Sequence, residues 1–84
     1  MAYIVVYLPE ASDDLGKLDR TVAQRIWDKI EWLAEHFDNI APETLTGPWQ
    51  GAFKLRVGDY RVVYTVEEDT ISIHLVGHRR EVYR

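Results

Sequence analysis

The stretch Phe53-Lys54-Leu55-Arg56-Val57-Gly58-Asp59-Tyr60-Arg61-Val62-Val63-Tyr64 alternates apolar and polar residues at the period of a β-strand and is interrupted once, at Gly58-Asp59. Gly followed by Asp suits a two-residue hairpin loop, because glycine enters the positive-φ region that such loops require. A loop at 58 and 59 makes Val57 oppose Tyr60, Leu55 oppose Val62 and Phe53 oppose Tyr64, all on one apolar face. The turn chemistry and the hydrophobic pattern therefore agree on one register. The same register sets Arg56 against Arg61 on the other face, with Lys54 one step along. Like charges directly opposed in a sheet are mildly destabilising, and an anion would relieve them.

Downstream, Val66 and then Ile71, Ile73 and Leu75 continue the alternation across a second tight turn at Glu68-Asp69. That turn pairs Tyr64 with Ile73 and Arg61 with Val76, and brings His78 to the Gly58 end of the sheet. Upstream, residues 38–50 carry Pro42, Gly47 and Pro48, have no usable periodicity and read as a loop. Before it, Val22, Ile26, Ile30, Leu33 and Phe37, widened by Trp27 and Ala34, form the stripe of a helix running from near Thr21 to about His36. Thr21 and Gln24 have the spacing of a capping box. A shorter helix opens at Pro9, with Ala11, Leu15 and Leu18 on its apolar face and Gly16 limiting it. Ala2 to Leu8 reads as a strand covered on both faces. The order β-α-α-β-β-β describes an α+β fold, two helices on one face of an antiparallel sheet, in a single domain over residues 1–84.

Composition bounds the chemistry. With no cysteine, disulfides, thiolate nucleophiles and Cys-based zinc sites are excluded. No signal-like or membrane-length apolar run is present, so the expectation is a cytoplasmic protein with no membrane partner. The net charge of -4 argues against a nucleic-acid binder, but its distribution does not: residues 1–50 carry net -5 and residues 51–84 net +1. By the hairpin register, Lys54, Arg56, Arg61, His78, Arg79 and Arg80 gather at one end of the uncovered face. Solvated charges on a wet sheet face are the plain alternative. His74 reads as a structural histidine. Four residues along a strand put His74 and His78 ~13 Å apart, so they make no metal pair, and no metal is expected. Spacing leaves Tyr83 open as a core aromatic, a base-stacking platform or a proton-transfer group. Trp49 reads as a lid on the core.

The segment 53–64, followed by Val76-Gly77-His78-Arg79-Arg80-Glu81-Val82-Tyr83, resembles the two signature blocks of the RelE/ParE toxin superfamily. The short motif YRVVY is shared with ParE, whereas the terminal GHRREVYR leans toward RelE. The resemblance spans essentially the whole chain. It implies the toxin of a type II toxin–antitoxin system, a ribosome-dependent endoribonuclease that cleaves messenger RNA in the ribosomal A site by attack of the ribose 2′-hydroxyl on the adjacent phosphate. It implies no cofactor or metal, and as partners a RelB-like or other cognate antitoxin, the ribosome and its mRNA, with operator DNA reached only through the antitoxin. On the matching positions Lys54 and Arg61 would hold the scissile phosphate, Arg79 would stabilise charge or protonate the leaving oxygen, and Tyr83 would orient or deprotonate the nucleophile. His78 is a second base by its near-neutral pKa, and Arg56 and Arg80 would bind RNA. One departure stands out: familiar RelE members carry a second lysine where this chain has Ala52. The resemblance also admits a ParE-like toxin that inhibits DNA gyrase without nuclease chemistry, and a catalytically silent member that only binds antitoxin.

Overall fold

The computed structural model describes residues 3–82. Its elements are β1 (Ile4–Tyr7), α1 (Pro9–Gly16), α2 (Arg20–His36), β2 (Glu43–Thr44), β3 (Phe53–Val57), β4 (Tyr60–Glu67) and β5 (Thr70–His78), with single 3₁₀ turns at Phe37–Asn39 and Gly47–Trp49. The strands form one sheet in the order β1-β5-β4-β3-β2. Two helices pack on one face of it. Among the described residues no helix is long and apolar enough to cross a membrane.

The helices follow from their apolar spacing. Pro9 opens α1, where its missing N–H costs nothing, and Ala11 and Leu15 are buried one turn apart. In α2, Ile26, Ile30, Leu33 and Ala34 are buried, and Val22 and Phe37 pack against the same core. Trp27 does not join it. It is 47% exposed and meets Tyr7 edge-on, with ring centroids 6.4 Å apart. The expected Thr21–Gln24 capping box is also absent: α2 begins one residue earlier, and Asp19 caps it by accepting from the Thr21 amide at 3.3 Å. Gln24 instead donates to Asp28 at 3.0 Å. Asp is at least as good a cap as Thr and stands two residues upstream of it.

The first hairpin has the expected register throughout, from Val57↔Tyr60 to Phe53↔Tyr64, and Gly58 takes φ 61° at its tip. The second begins as expected at Tyr64↔Ile73 but is then shifted by a bulge, so that Val63 faces Leu75, Val62 faces Val76 and Arg61 faces Gly77 rather than Val76. His74 is the extra residue, and its Nε2 meets the Thr65 hydroxyl at 2.9 Å. The bulge has a packing cause. Strict alternation from Ile71 and Ile73 would send Leu75 into the core, whereas one added residue transfers that position to Val76, which is 4% exposed.

Two further pairings carry no local sequence signal. β1 lies parallel to β5, Ile4 opposite Thr70 through Tyr7 opposite Ile73, so the sheet is mixed rather than wholly antiparallel. As an edge strand β1 is covered on one face only: Val5 and Tyr7 pack on the core, while Ile4 is 58% and Val6 40% exposed. β2, inside the segment read as loop, pairs Glu43 with Lys54 and Thr44 with Phe53. Past the end of β1, the Asp14 carboxylate accepts from the Val76 amide at 3.1 Å and satisfies part of the remaining edge of β5. On the face away from the helices, Val63 is fully buried beside a concavity that it shares with Trp49 and Ala52.

Two outcomes test this account. Alanine at Gly58 must adopt the left-handed backbone at φ 61°, while the Arg25 guanidinium, 3.5 Å from the Cβ position, leaves it ordinary contact room; denaturant titration should show Gly58→Ala losing about 1–2 kcal/mol. Burial pushes the Tyr7 hydroxyl up to about 12, with the Glu31 carboxylate adding to it, and burial pushes Tyr64 up to about 12 as well. Both phenols are neutral below the unfolded value, so their contribution is whole below pH 10 and falls as pH rises from about 10 to 12. Among the described residues the Tyr7 hydroxyl is buried with no partner at hydrogen-bonding geometry, and Trp27 of α2 lowers the shift only in part. Tyr7→Phe should therefore flatten the alkaline limb of a stability-versus-pH curve and cost nothing at pH 7; an unchanged limb would reject this.

Candidate functional site

The outer face of the first hairpin collects the cations. Arg56 and Arg61 stand directly opposite each other, and Lys54 opposes Val63 one step along. Their repulsion is relieved in two ways. Arg61 curls back so that its Nη1 donates to the carbonyls of Gly58 and Tyr60, each at 2.9 Å. Arg56 and Lys54 share a carboxylate: Glu43 Oε1 lies 3.5 Å from Arg56 Nε, and its Oε2 lies 3.6 Å from Lys54 Nζ. Glu43 was not among the residues singled out from sequence. A two-residue strand has no period to read, so no signal could have found it.

The chain's second basic block meets the same end of the sheet. The Arg79 amide donates to the Asp59 carbonyl at 2.8 Å, and its Nε lies 3.9 Å from the Asp59 carboxylate. The hairpin turn thus holds Arg79 by backbone and side chain together. Beyond it the chain folds back on itself, with the amides of Glu81 and Val82 both donating to the His78 carbonyl. Gly77 leaves room for the Val82 side chain in this fold-back, since a Cβ there would lie 2.9 Å from Val82 Cγ2.

His78 does not join the cations on the outer face. The bulge at His74 sets it opposite Tyr60, whose side of the sheet carries the core, and the two rings meet edge-on at 5.6 Å. There it lines a cavity of about 370 Å³ with Asp14, Lys17 and Leu18 of the α1 region. The unbulged register had placed His78 with Arg61, and one inserted residue inverts that relation. Arg80 is exposed, and its amide donates to His78 Nδ1 at 3.2 Å. Tyr83 lies outside the described residues. Among those residues no three His, Cys, Asp or Glu side chains group closely enough to hold a metal ion. The outer face can therefore bind an anion through Lys54, Arg56 and Arg61, with Arg79 at its end.

Several solved structures have this fold. The RelBE2 toxin–antitoxin complex of Mycobacterium tuberculosis matches with a TM-score of 0.83 and 26% identity, over 94% of this chain and 100% of that one. A mutant of Escherichia coli toxin RelE in the free state matches with a TM-score of 0.77 and 28% identity, over 98% and 88%. The intact Escherichia coli RelBE complex gives 0.74 and 26%, over 92% and 96%. No curated protein matches by sequence. The architecture is thus that of the RelE/ParE class of toxins. Within that class the sequence profile of the ParE toxin of type II toxin–antitoxin systems covers residues 5–83, and the chain belongs to that family.

The fold-back at Gly77 gives a prediction. Gly77→Ala should destabilise the protein by about 1–3 kcal/mol through the overlap with Val82, and adding Val82→Ala should recover most of that loss in thermal melts. If the double variant is no more stable than the single, contact with Val82 is not what requires glycine.

Proposed function

We propose that this toxin is a ribosome-dependent endoribonuclease of the RelE kind, acting on messenger RNA in the A site and neutralised by a RelB-like or other cognate antitoxin. The observation that carries the reading is the outer face on which Lys54, Arg56 and Arg61 are brought together, with Arg79 tied to the turn at its end. Such a face suits a bent RNA backbone in which charge builds on the phosphate oxygens.

The reaction begins when the ribose 2′-oxygen attacks the adjacent phosphorus. The bond to the 5′-oxygen breaks, the nucleophile's proton passes to a base, and the leaving oxygen gains a proton. Lys54 and Arg61 stabilise the non-bridging oxygens as negative charge grows, a contribution of about 10²–10³ per preorganised donor. Arg79 stabilises or protonates the leaving oxygen. By the resemblance Tyr83 orients or deprotonates the nucleophile, while His78 lies on the Tyr60 side of the sheet, away from the outer face. Arg56 and Arg80 bind flanking phosphates. Ala52 is 8% exposed, so a lysine at this position would have to leave that packing, and the phosphate is met by the three cations already named.

Induced expression should halt translation and cleave ribosome-bound mRNA. Arg61→Ala, checked as folded by circular dichroism because it also loses two hydrogen bonds to the turn, should reduce cleavage about 10²–10³-fold, while His78→Ala stays within about tenfold of the parent. Cleavage undiminished in Arg61→Ala would remove that residue from the site. A second reading is favoured by the ParE name of the matching profile: inhibition of DNA gyrase by binding alone. Purified protein that blocks supercoiling and leaves ribosome-bound mRNA intact would establish it over the nuclease.

A further inference from the structure

Among the described residues Glu43 is the carboxylate that bridges two cations of the outer face, and its position is fixed by backbone pairing. β2 sets it opposite Lys54, and the next backbone bond, from the Leu45 amide to the Ala52 carbonyl at 3.0 Å, fastens the same segment along β3. Each of its two oxygens faces a different cation, Lys54 Nζ at 3.6 Å and Arg56 Nε at 3.5 Å. A phosphodiester offers the same pattern, two anionic oxygens on one centre. We infer that Glu43 is a built-in phosphate mimic, which a nucleic-acid strand must displace from Lys54 and Arg56 before it can lie on this face. The inference rests on reading the face as RNA-binding.

The geometry allows displacement. The side chains of Glu43 and Arg56 are 46% and 59% exposed, and both ion pairs exceed the length of a tight charge-assisted hydrogen bond. The guanidinium of Arg61 is held by carbonyl oxygens and, among the described residues, by no carboxylate, so it meets an incoming phosphate first. Glu43 therefore acts as a threshold. A strand that engages only Arg61 gains little; one that can also satisfy Lys54 and Arg56 replaces the carboxylate. Residence of Glu43 also keeps small counterions off those two cations. Fewer ions are then released when nucleic acid binds, and the salt dependence of binding is shallower than the number of cations implies.

The test uses a fluorescent single-stranded 2′-deoxy oligonucleotide, which cannot undergo 2′-hydroxyl cleavage, with anisotropy titrations of the full chain between 50 and 500 mM salt. Glu43→Gln should bind about five-fold or more tightly at the low end, with the plot of log affinity against log salt steeper by about 0.7, the increment for one further phosphate on a single strand. Glu35→Gln, which changes net charge equally from the exposed side of α2, should move neither quantity. Equal affinity and slope for Glu43→Gln and the parent, an equal gain in Glu35→Gln, or no binding by any of the three at 50 mM salt would each overturn the inference. Because the probe is not cleaved, the result is separable from the nuclease reading. A gain in Glu43→Gln beside intact mRNA in the expression assay would keep the displaced carboxylate and discard the ribonuclease.

Discussion

The two-residue turn at Gly58 and Asp59 fixes the register on which the rest of the site depends. Because side chains alternate strictly along a strand, a slip of one residue would exchange the faces of β3 and β4 and carry Arg56 and Arg61 into the space that Leu55 and Val62 occupy. Burying even one unpaired guanidinium costs several kcal/mol, comparable to the whole stability of a domain this size. The apolar residues therefore hold the cations outside as firmly as they hold themselves inside. The turn does more than set register. The Asp59 carbonyl and carboxylate both engage Arg79, so the sequence block around Gly58 and the one around Arg79 meet at a single backbone position.

A second device, the bulge at His74, decides which face the C-terminal block addresses. Without it, Arg61 and His78 would share a face; with it, Arg61 faces Gly77 and His78 faces Tyr60. The bulge gives Val76 to the core and, by the same shift, puts a glycine opposite Arg61, where the returning Val82 comes close. One packing requirement in the core thus separates the imidazole from the guanidinium groups.

Signals carried by adjacent residues were legible, and those carried by distant pairing were not. The apolar stripe of α2, Pro9 at the start of α1 and the first hairpin could be read because each is a local spacing. The parallel pairing of β1 with β5 joins segments more than sixty residues apart, and no turn announces it. The exposure of Ile4 and Val6 follows from that pairing and was equally hidden. β2 is too short to have a period, so Glu43 stayed invisible although it touches two of the candidate residues. The bulge was masked by a misleading local cue, since Ile71, Ile73 and Leu75 alternate without a break in the sequence. The shared face of Lys54, Arg56 and Arg61 could thus be read in advance from the first hairpin, while the separation of His78 from them could not.

The acidic net charge and the basic face are compatible because they are separated in space. Asp28, Glu31 and Glu35 lie on exposed positions of α2, which covers the opposite side of the sheet. A helix with its side chains is ~10–12 Å across, and the screening length at physiological salt is ~8 Å. The field of those carboxylates is therefore largely spent before it reaches Lys54, Arg56 and Arg61, and a polyanion approaching the outer face meets the local charge rather than the molecular total. Glu43 is the exception because β2 places it inside that screening length, in contact with two of the cations. One short strand pairing accordingly governs the potential of this face more strongly than a count of the nine N-terminal carboxylates, of which Glu43 is one, would suggest.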